Sequence, residues 1–210
     1  MKIVVFGASG KTGRLLIEEA LTSGYEVIAY VRNKESVKSV HPNLRVVAGQ
    51  LNEKEKLKSV IIGSDACIST LGGASLTKHN HGIIEGIDNI VDIMEEVNVK
   101  RFIYLSSIGV GNSRQYMAQP ARFLIADLML RVPLADHNAN ESRITQSQLE
   151  WTIIRPGGLT DGAKSENLKH GTEYTKLKGN LSISRSSVAT FILNQFTDSI
   201  YVNKCVWLYE

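Results

Sequence analysis

The stretch Lys2-Ile3-Val4-Val5-Phe6-Gly7-Ala8-Ser9-Gly10-Lys11-Thr12-Gly13 runs from an apolar, β-branched segment directly into three spaced glycines. A helical stripe follows, in which Leu15, Leu16, Ala20 and Leu21 share a face and Gly24 supplies the stop. A strand, a glycine turn and a helix in immediate succession suit a phosphate. One glycine allows a sharp turn, one leaves room for a diphosphate, and one lets helix and strand pack closely. The helix amino end adds unpaired N–H groups and partial positive charge. Ser9, Lys11 and Thr12 bring side-chain donors to the same turn. Gly10-Lys11-Thr12 is not a P-loop, because Gly7 stands only three residues before Gly10 and the Walker spacing fails.

The next apolar run ends at Tyr30-Val31-Arg32-Asn33-Lys34. In NAD-specific turns an acidic residue about 20 residues beyond the glycines bonds the ribose 2′-hydroxyl. No acid occupies that place, since Glu26 opens the run at its far end. Arg32, with Lys34 nearby, suits a 2′-phosphate, so the pattern favours NADP(H) over NAD(H). A solvated cation at a strand end is the plainer explanation of Arg32.

Working outward, apolar runs at Lys2–Phe6, Glu26–Val31, Leu44–Ala48, Ala66–Ser69, Phe102–Leu105, Trp151–Arg155 and Cys205–Tyr209 alternate with helical patterns. The clearest helix carries Ile83, Ile84, Ile87, Ile90, Val91 and Met94 on one face. Strands buried on both faces and alternating with helices predict right-handed crossovers. The expected fold is α/β: a single-domain, Rossmann-like doubly wound parallel sheet with helices on both faces. Further helices are expected at Ala121–Arg131 and Ala135–Gln146, with a polar loop at Gly109–Gln119 and an irregular segment at Thr160–Asn180. These place a small substrate-side region at about residues 107–147 and 157–182, beyond the carboxyl ends of strands, where open sheets bind ligands.

The composition, 43% hydrophobic and 21% charged, is that of a globular domain, and a formal charge of +3 is too small to argue for nucleic acid. No apolar run approaches the ~18 residues of a membrane span. The amino-terminal run is too short for a signal core, so a cytoplasmic protein is expected. Cys67 and Cys205 sit in apolar runs and read as buried thiols. His79 and His81 stand two apart with no third ligand evident, so no metal is expected.

At this point the chain resembles the atypical short-chain dehydrogenase/reductases, and within them the NAD(P)H-binding, biliverdin-IXβ reductase/flavin reductase-like and NmrA-like family. The likeness spans the chain and rests on Val5–Gly13, Val31-Arg32, Ser69–Gly72, Tyr104–Ser107, Leu149–Gly157 and Ile183–Ala189. The resemblance implies that Gln50 and Leu51 frame the adenine and that Leu71 and Gly72 run beside the cofactor. It implies that Ser107 is the active-site serine beside the nicotinamide, that Ser106, Pro156 and Gly157 contact the cofactor, and that Arg155, Pro156 and Gly157 begin the substrate-side loop. Gln50 stands where the family usually has Asp. Orthodox members use a Tyr-x-x-x-Lys pair, whereas alignment puts Pro133 in the tyrosine place and His137 in the lysine place. His137 resembles a histidine of biliverdin-IXβ reductase, which makes it a candidate donor. A second histidine of that group is Gly158 here.

A conjugated acceptor needs close placement against the nicotinamide more than it needs a tyrosine. The expected function is NADPH-dependent hydride transfer to a small conjugated molecule (flavin, quinone or tetrapyrrole-like), with Ser107 and His137 as catalytic residues. The alternative is a non-catalytic NADP(H) sensor acting on a protein partner. Epimerase or dehydratase chemistry would need the missing pair.

Overall fold

A computed structural model of the chain describes residues 1–73, 75–119, 126, 128–173 and 181–210. The strands are β1 (Lys2–Phe6), β2 (Glu26–Val31), β3 (Leu44–Ala48), β4 (Ala66–Ser69), β5 (Arg101–Leu105), β6 (Glu150–Pro156), β7 (Gly158–Thr160), β8 (Lys169–Gly171), β9 (Ser182–Ser184) and β10 (Lys204–Tyr209). The helices are α1 (Lys11–Thr22), α2 (Lys54–Ile61), α3 (His81–Glu96), α4 (Arg131–Thr145) and α5 (Arg185–Asn194).

Among the described residues eight strands form one sheet in the order β3-β2-β1-β4-β5-β6-β10-β8, parallel throughout except for β8, which runs antiparallel to β10. Strand β1 pairs with β2 on one side, Val5 opposite Ala29, and with β4 on the other, Val5 opposite Ile68. The winding therefore reverses at β1, and this switch point opens the crevice in which such sheets bind ligands. A separate parallel pair, β7 and β9, sits beyond β6. The expected doubly wound sheet is what the chain forms.

Alternation of side chains along each strand divides the core in two. Ile3, Val5, Ala29 and Ile154 face α1 and α5, through Leu16, Ile17, Val188 and Ile192. Val4, Phe6, Ile28, Phe102 and Ile153 face α2, α3 and α4, through Leu57, Ile87, Ile90 and Ile144. Complete burial of each of the larger aliphatic and aromatic side chains among them contributes about 1.5–3 kcal/mol. Cys67 is buried in β4 and Cys205 half-buried in β10. No helix among the described residues is long and apolar enough to cross a membrane.

The expected strands all occur, three of them longer by a residue or two. Two helices escaped the pattern: α2 is short, and α5 is apolar on most sides, with Val188, Ala189, Phe191, Ile192 and Leu193 all buried. The helix expected at 135–146 begins earlier, at Arg131, and a 3₁₀ turn, Gly111–Tyr116, occupies part of the expected polar loop. The helix expected at 121–131 falls mostly outside the described residues, as does the end of the irregular segment at 174–180. The described part of that segment holds β8 and the last residue of β7.

One buried ion pair ties the carboxyl ends of β5 and β6 to α4. Glu141 accepts from Arg155 through Nε at 3.0 Å and Nη2 at 2.6 Å, and from the Ser106 hydroxyl at 2.6 Å. Arg155 also donates from Nη1 to Asn112 Oδ1 at 2.6 Å. Both charged side chains are nearly sealed from solvent, at 4% and 6% exposure. Removing one member of such a pair strands the other charge, at a cost of about 3–5 kcal/mol, whereas an apolar replacement of both is often neutral. Glu141→Gln is therefore expected to lower the urea unfolding midpoint sharply, and the double change Glu141→Leu with Arg155→Met to recover most of the loss.

Candidate cofactor and catalytic site

At the end of β1 the backbone turns at Gly7, whose φ of +81° belongs to the left-handed region that glycine adopts freely. The Gly7 carbonyl accepts the Gly10 N–H at 2.9 Å, closing the turn. A Cβ on Gly13 would lie 2.3 Å from that same carbonyl, so α1 reaches β1 only because Gly13 has none. A Cβ on Gly10 would meet only the Gly7 oxygen, at 3.2 Å, which leaves the outer side of the turn open. No side chain caps α1, and its first turn holds no acid. Its first N–H groups, with Lys11 among them, make a cradle that fits a dinucleotide diphosphate.

On the adenosine side, Arg32 follows β2 directly and is exposed. Asn33 caps a short 3₁₀ turn by accepting the Glu35 N–H at 3.0 Å. From α1, Arg14 reaches the same loop and donates to the Ser36 carbonyl at 3.2 Å. A hollow lined by Arg14, Glu18, Ser36 and Lys38 lies between helix and loop. Arg14 was not legible as a site residue, because an arginine on a surface helix face carries no signal of its own. Beside this loop, Tyr30 donates to the Gln50 carbonyl at 2.9 Å, and the Gln50 N–H donates to the Glu53 carboxylate. Burial and the Glu53 charge push the Tyr30 phenol up to about 12, so it stays a donor. The Gln50 side chain is exposed, and Leu51 packs on the core beside α3.

The third part is a small cleft beyond β4, lined by Leu71, Gly72, Gly73, Ile83, Pro133, Asp136, His137 and Asn140. Beneath it, Tyr104 of β5 is fully buried. Its hydroxyl lies 2.7 Å from His137 Nδ1 and accepts from Asn140 Nδ2 at 2.9 Å. With the amide donating, the phenol proton is left for Nδ1, and the imidazole proton stands on Nε2. Burial raises the Tyr104 phenol far above its ordinary range and depresses His137, against the charges of Glu141 and Asp136. Both groups are therefore neutral and hydrogen-bonded near pH 7. Asn140 Oδ1 is buried and has no partner, so it offers a ligand an acceptor.

Asp136 fastens the loop after β4 to α4. Its carboxylate accepts the Asn80 N–H at 2.8 Å and meets His79 Nδ1 at 2.5 Å. Burial pulls this carboxyl upward, but the Asn80 N–H and His79 outweigh it and hold it below the usual range. Among the described residues no cluster of three or more metal-ligating side chains occurs.

Of the residues expected to form the site, Leu71, Gly72 and His137 share the cleft, and Pro133 joins them one helical turn before His137. Ser107 is outside the lining, and its hydroxyl donates to the Ile108 carbonyl at 3.1 Å. Ser106 departs from its expected role as a cofactor contact. Its hydroxyl is drawn inward to Glu141 and its N–H donates to the Ile154 carbonyl at 2.7 Å. The buried carboxylate is a stronger acceptor than anything in the cleft. Pro156 and Gly157 contribute backbone: the Pro156 carbonyl accepts Ile108 N–H and the Gly157 N–H donates to Leu208, both at 2.9 Å. Tyr104 and Asn140 were missed. Tyr104 hid inside an apolar strand run, but Asp136, His137 and Asn140 recur at helical spacing, a polar stripe that turns inward.

Known proteins resemble this chain in sequence and in fold. The chain is 31% identical over 196 residues to a chloroplastic Arabidopsis thaliana protein, At2g34460, covering 90% of this chain and 69% of that one. The fold matches the Escherichia coli O157:H7 protein ChuY, titled an anaerobillin reductase, with a TM-score of 0.82 and 24% identity, covering 100% and 97% of the two chains. It also matches a Veillonella parvula short-chain dehydrogenase/reductase solved in complex with NADP, with a TM-score of 0.85 and 17% identity, covering 100% and 94%. The profile of the NAD(P)H-binding family matches residues 7–199, from the first glycine of the turn to beyond α5, and the chain belongs to that family.

Proposed function

We propose that the protein is an NADPH-dependent reductase that delivers hydride to a conjugated acceptor of flavin, quinone or linear tetrapyrrole type, without a Tyr/Lys pair. The observation that carries this reading is the Tyr104–His137 hydrogen bond behind the cleft beside Leu71 and Gly72. Bound NADPH supplies the hydride. The cleft residues hold the acceptor against it: Leu71, Ile83 and Pro133 give apolar contact, and Asn140 Oδ1 accepts an N–H. Tyr104 fixes the His137 ring so that Nε2–H donates toward charge developing on the acceptor. A neutral imidazole acts here as a hydrogen-bond donor, and solvent delivers the proton to the delocalised product. Ser107, which follows β5 outside the cleft lining, can exchange its contact with Ile108 for an acceptor or carboxamide oxygen. The similarity to a protein titled a reductase supports the class, and a related fold solved with NADP supports the cofactor.

NADPH oxidation with FMN, FAD, biliverdin and small quinones tests the reading directly. His137→Ala is expected to lower kcat by about 10²-fold, with a smaller fall for Tyr104→Phe and for Ser107→Ala and little change in NADPH affinity. Tight NADP(H) binding with no turnover on any acceptor would sink the reductase and favour a sensor that acts on a protein partner.

Arg32→Ala is expected to weaken NADPH by about tenfold or more, the loss of a charged hydrogen bond, while NADH changes little. Fluorescence titration with both cofactors checks it, and equal losses would remove the 2′-phosphate contact.

Because burial depresses His137, the unfolded chain binds its proton first as pH falls, beginning near ~6.5. The stability contributed by the neutral ring is full above that pH and is lost as pH falls toward and through the folded value. Urea midpoints of the wild type should drop on acidification through this window more steeply than those of His137→Gln. Turnover should stay flat above it, since no proton is released from the ring.

A further inference from the structure

Asp161, just beyond β7, places its two carboxylate oxygens on two cations from different elements. Oδ2 lies 2.6 Å from Lys11 Nζ and Oδ1 lies 2.5 Å from Arg185 Nη1. Lys11 is the first residue of α1 and Arg185 the first of α5, two helices that pack side by side on one face of the sheet. The amino ends of both helices therefore lie at the carboxylate, beside the cradle that fits the diphosphate.

We propose that Lys11 and Arg185 form a paired cation subsite for the dinucleotide diphosphate, and that Asp161 is an internal anion that fills it until the cofactor enters. The exchange follows from charge. Lys11 and Asp161 are 70% and 61% exposed, and ion pairs so placed are weak and readily exchanged. A diphosphate brings two negative charges and more acceptor oxygens to the same cations, and gains from the uncapped end of α1 as well. Arg185, only 20% exposed, is already held in place to receive it.

The bridge is not what fastens this segment. The Ser186 hydroxyl donates to the Gly162 carbonyl at 3.0 Å, the Ser165 N–H donates to the Ser187 hydroxyl at 2.9 Å, and Lys164 pairs with Glu19 at 3.4 Å. Loss of the Asp161 charge leaves all three intact. The subsite holds whether the protein turns over an acceptor or only senses the cofactor, because it concerns binding alone.

The sign of two substitutions tests it. A bridge that merely props the loop loses function when either end is removed, whereas a competing anion and a ligand cation must have opposite effects. Calorimetric titration of the full chain with NADPH, and with adenosine 2′-monophosphate, which lacks the diphosphate, separates the cases. Asp161→Asn is expected to tighten NADPH by about threefold or more, and Arg185→Gln to weaken it by about tenfold. The monophosphate should bind all variants alike. Lys11→Gln serves as the second cation variant should Arg185→Gln fold poorly. Weaker or unchanged NADPH binding by Asp161→Asn would overturn the proposal, as would wild-type affinity in both cation variants. Failure of every protein, wild type included, to bind NADPH would instead strike at the cofactor assignment itself.

Discussion

The close seating of α1 on β1 is the constraint from which the rest of the structure follows. Gly13 lies so near the Gly7 carbonyl that no side chain fits between them, and this contact aims the amino end of the helix across the switch point of the sheet. Move the helix outward by the thickness of a methyl group and its first N–H groups no longer converge on one place. The same seating brings Arg14 to the loop after β2 and Lys11 to the segment after β7. Three separate parts of the surface are thereby organised around a single helix end.

On the other side of the sheet the organising element is α4. Its inward face is polar where a helix of this burial is usually apolar: Asp136 holds the loop after β4, His137 and Asn140 bracket Tyr104, and Glu141 neutralises Arg155. Among the described residues, each of these α4 side chains has a hydrogen-bond partner, and the Asn140 Oδ1 atom is the one on this face left without one. Asn140 lines the cleft, where a ligand can satisfy that atom. Polar satisfaction elsewhere fixes the ring of His137 with little freedom.

Much of this was legible in the sequence because parallel strands and the glycine turn obey local rules. Val4 and Val5 alternate between two buried faces, and only a sheet covered on both sides asks for so continuous an apolar run. The cradle was legible for the same reason: its glycines answer to contacts within a few residues. Pairings across long sequence separations were not. Nothing near Asp161 in the chain announces Lys11, 150 residues away, and nothing near Ser106 announces that Glu141 claims its hydroxyl. Helix α5 hid because burial on most sides erases the amphipathic stripe that reveals a helix.

The two borders of the large sheet differ in kind. At one border β8 is a three-residue strand with Lys169 and His170 exposed, too short and too charged to template a foreign strand. At the other border β3 has five residues, with exposed Arg45 among half-buried neighbours. Among the described residues β3 is the longer of the two border strands, and exposed Arg45 sets a charge on it that opposes pairing with a foreign strand.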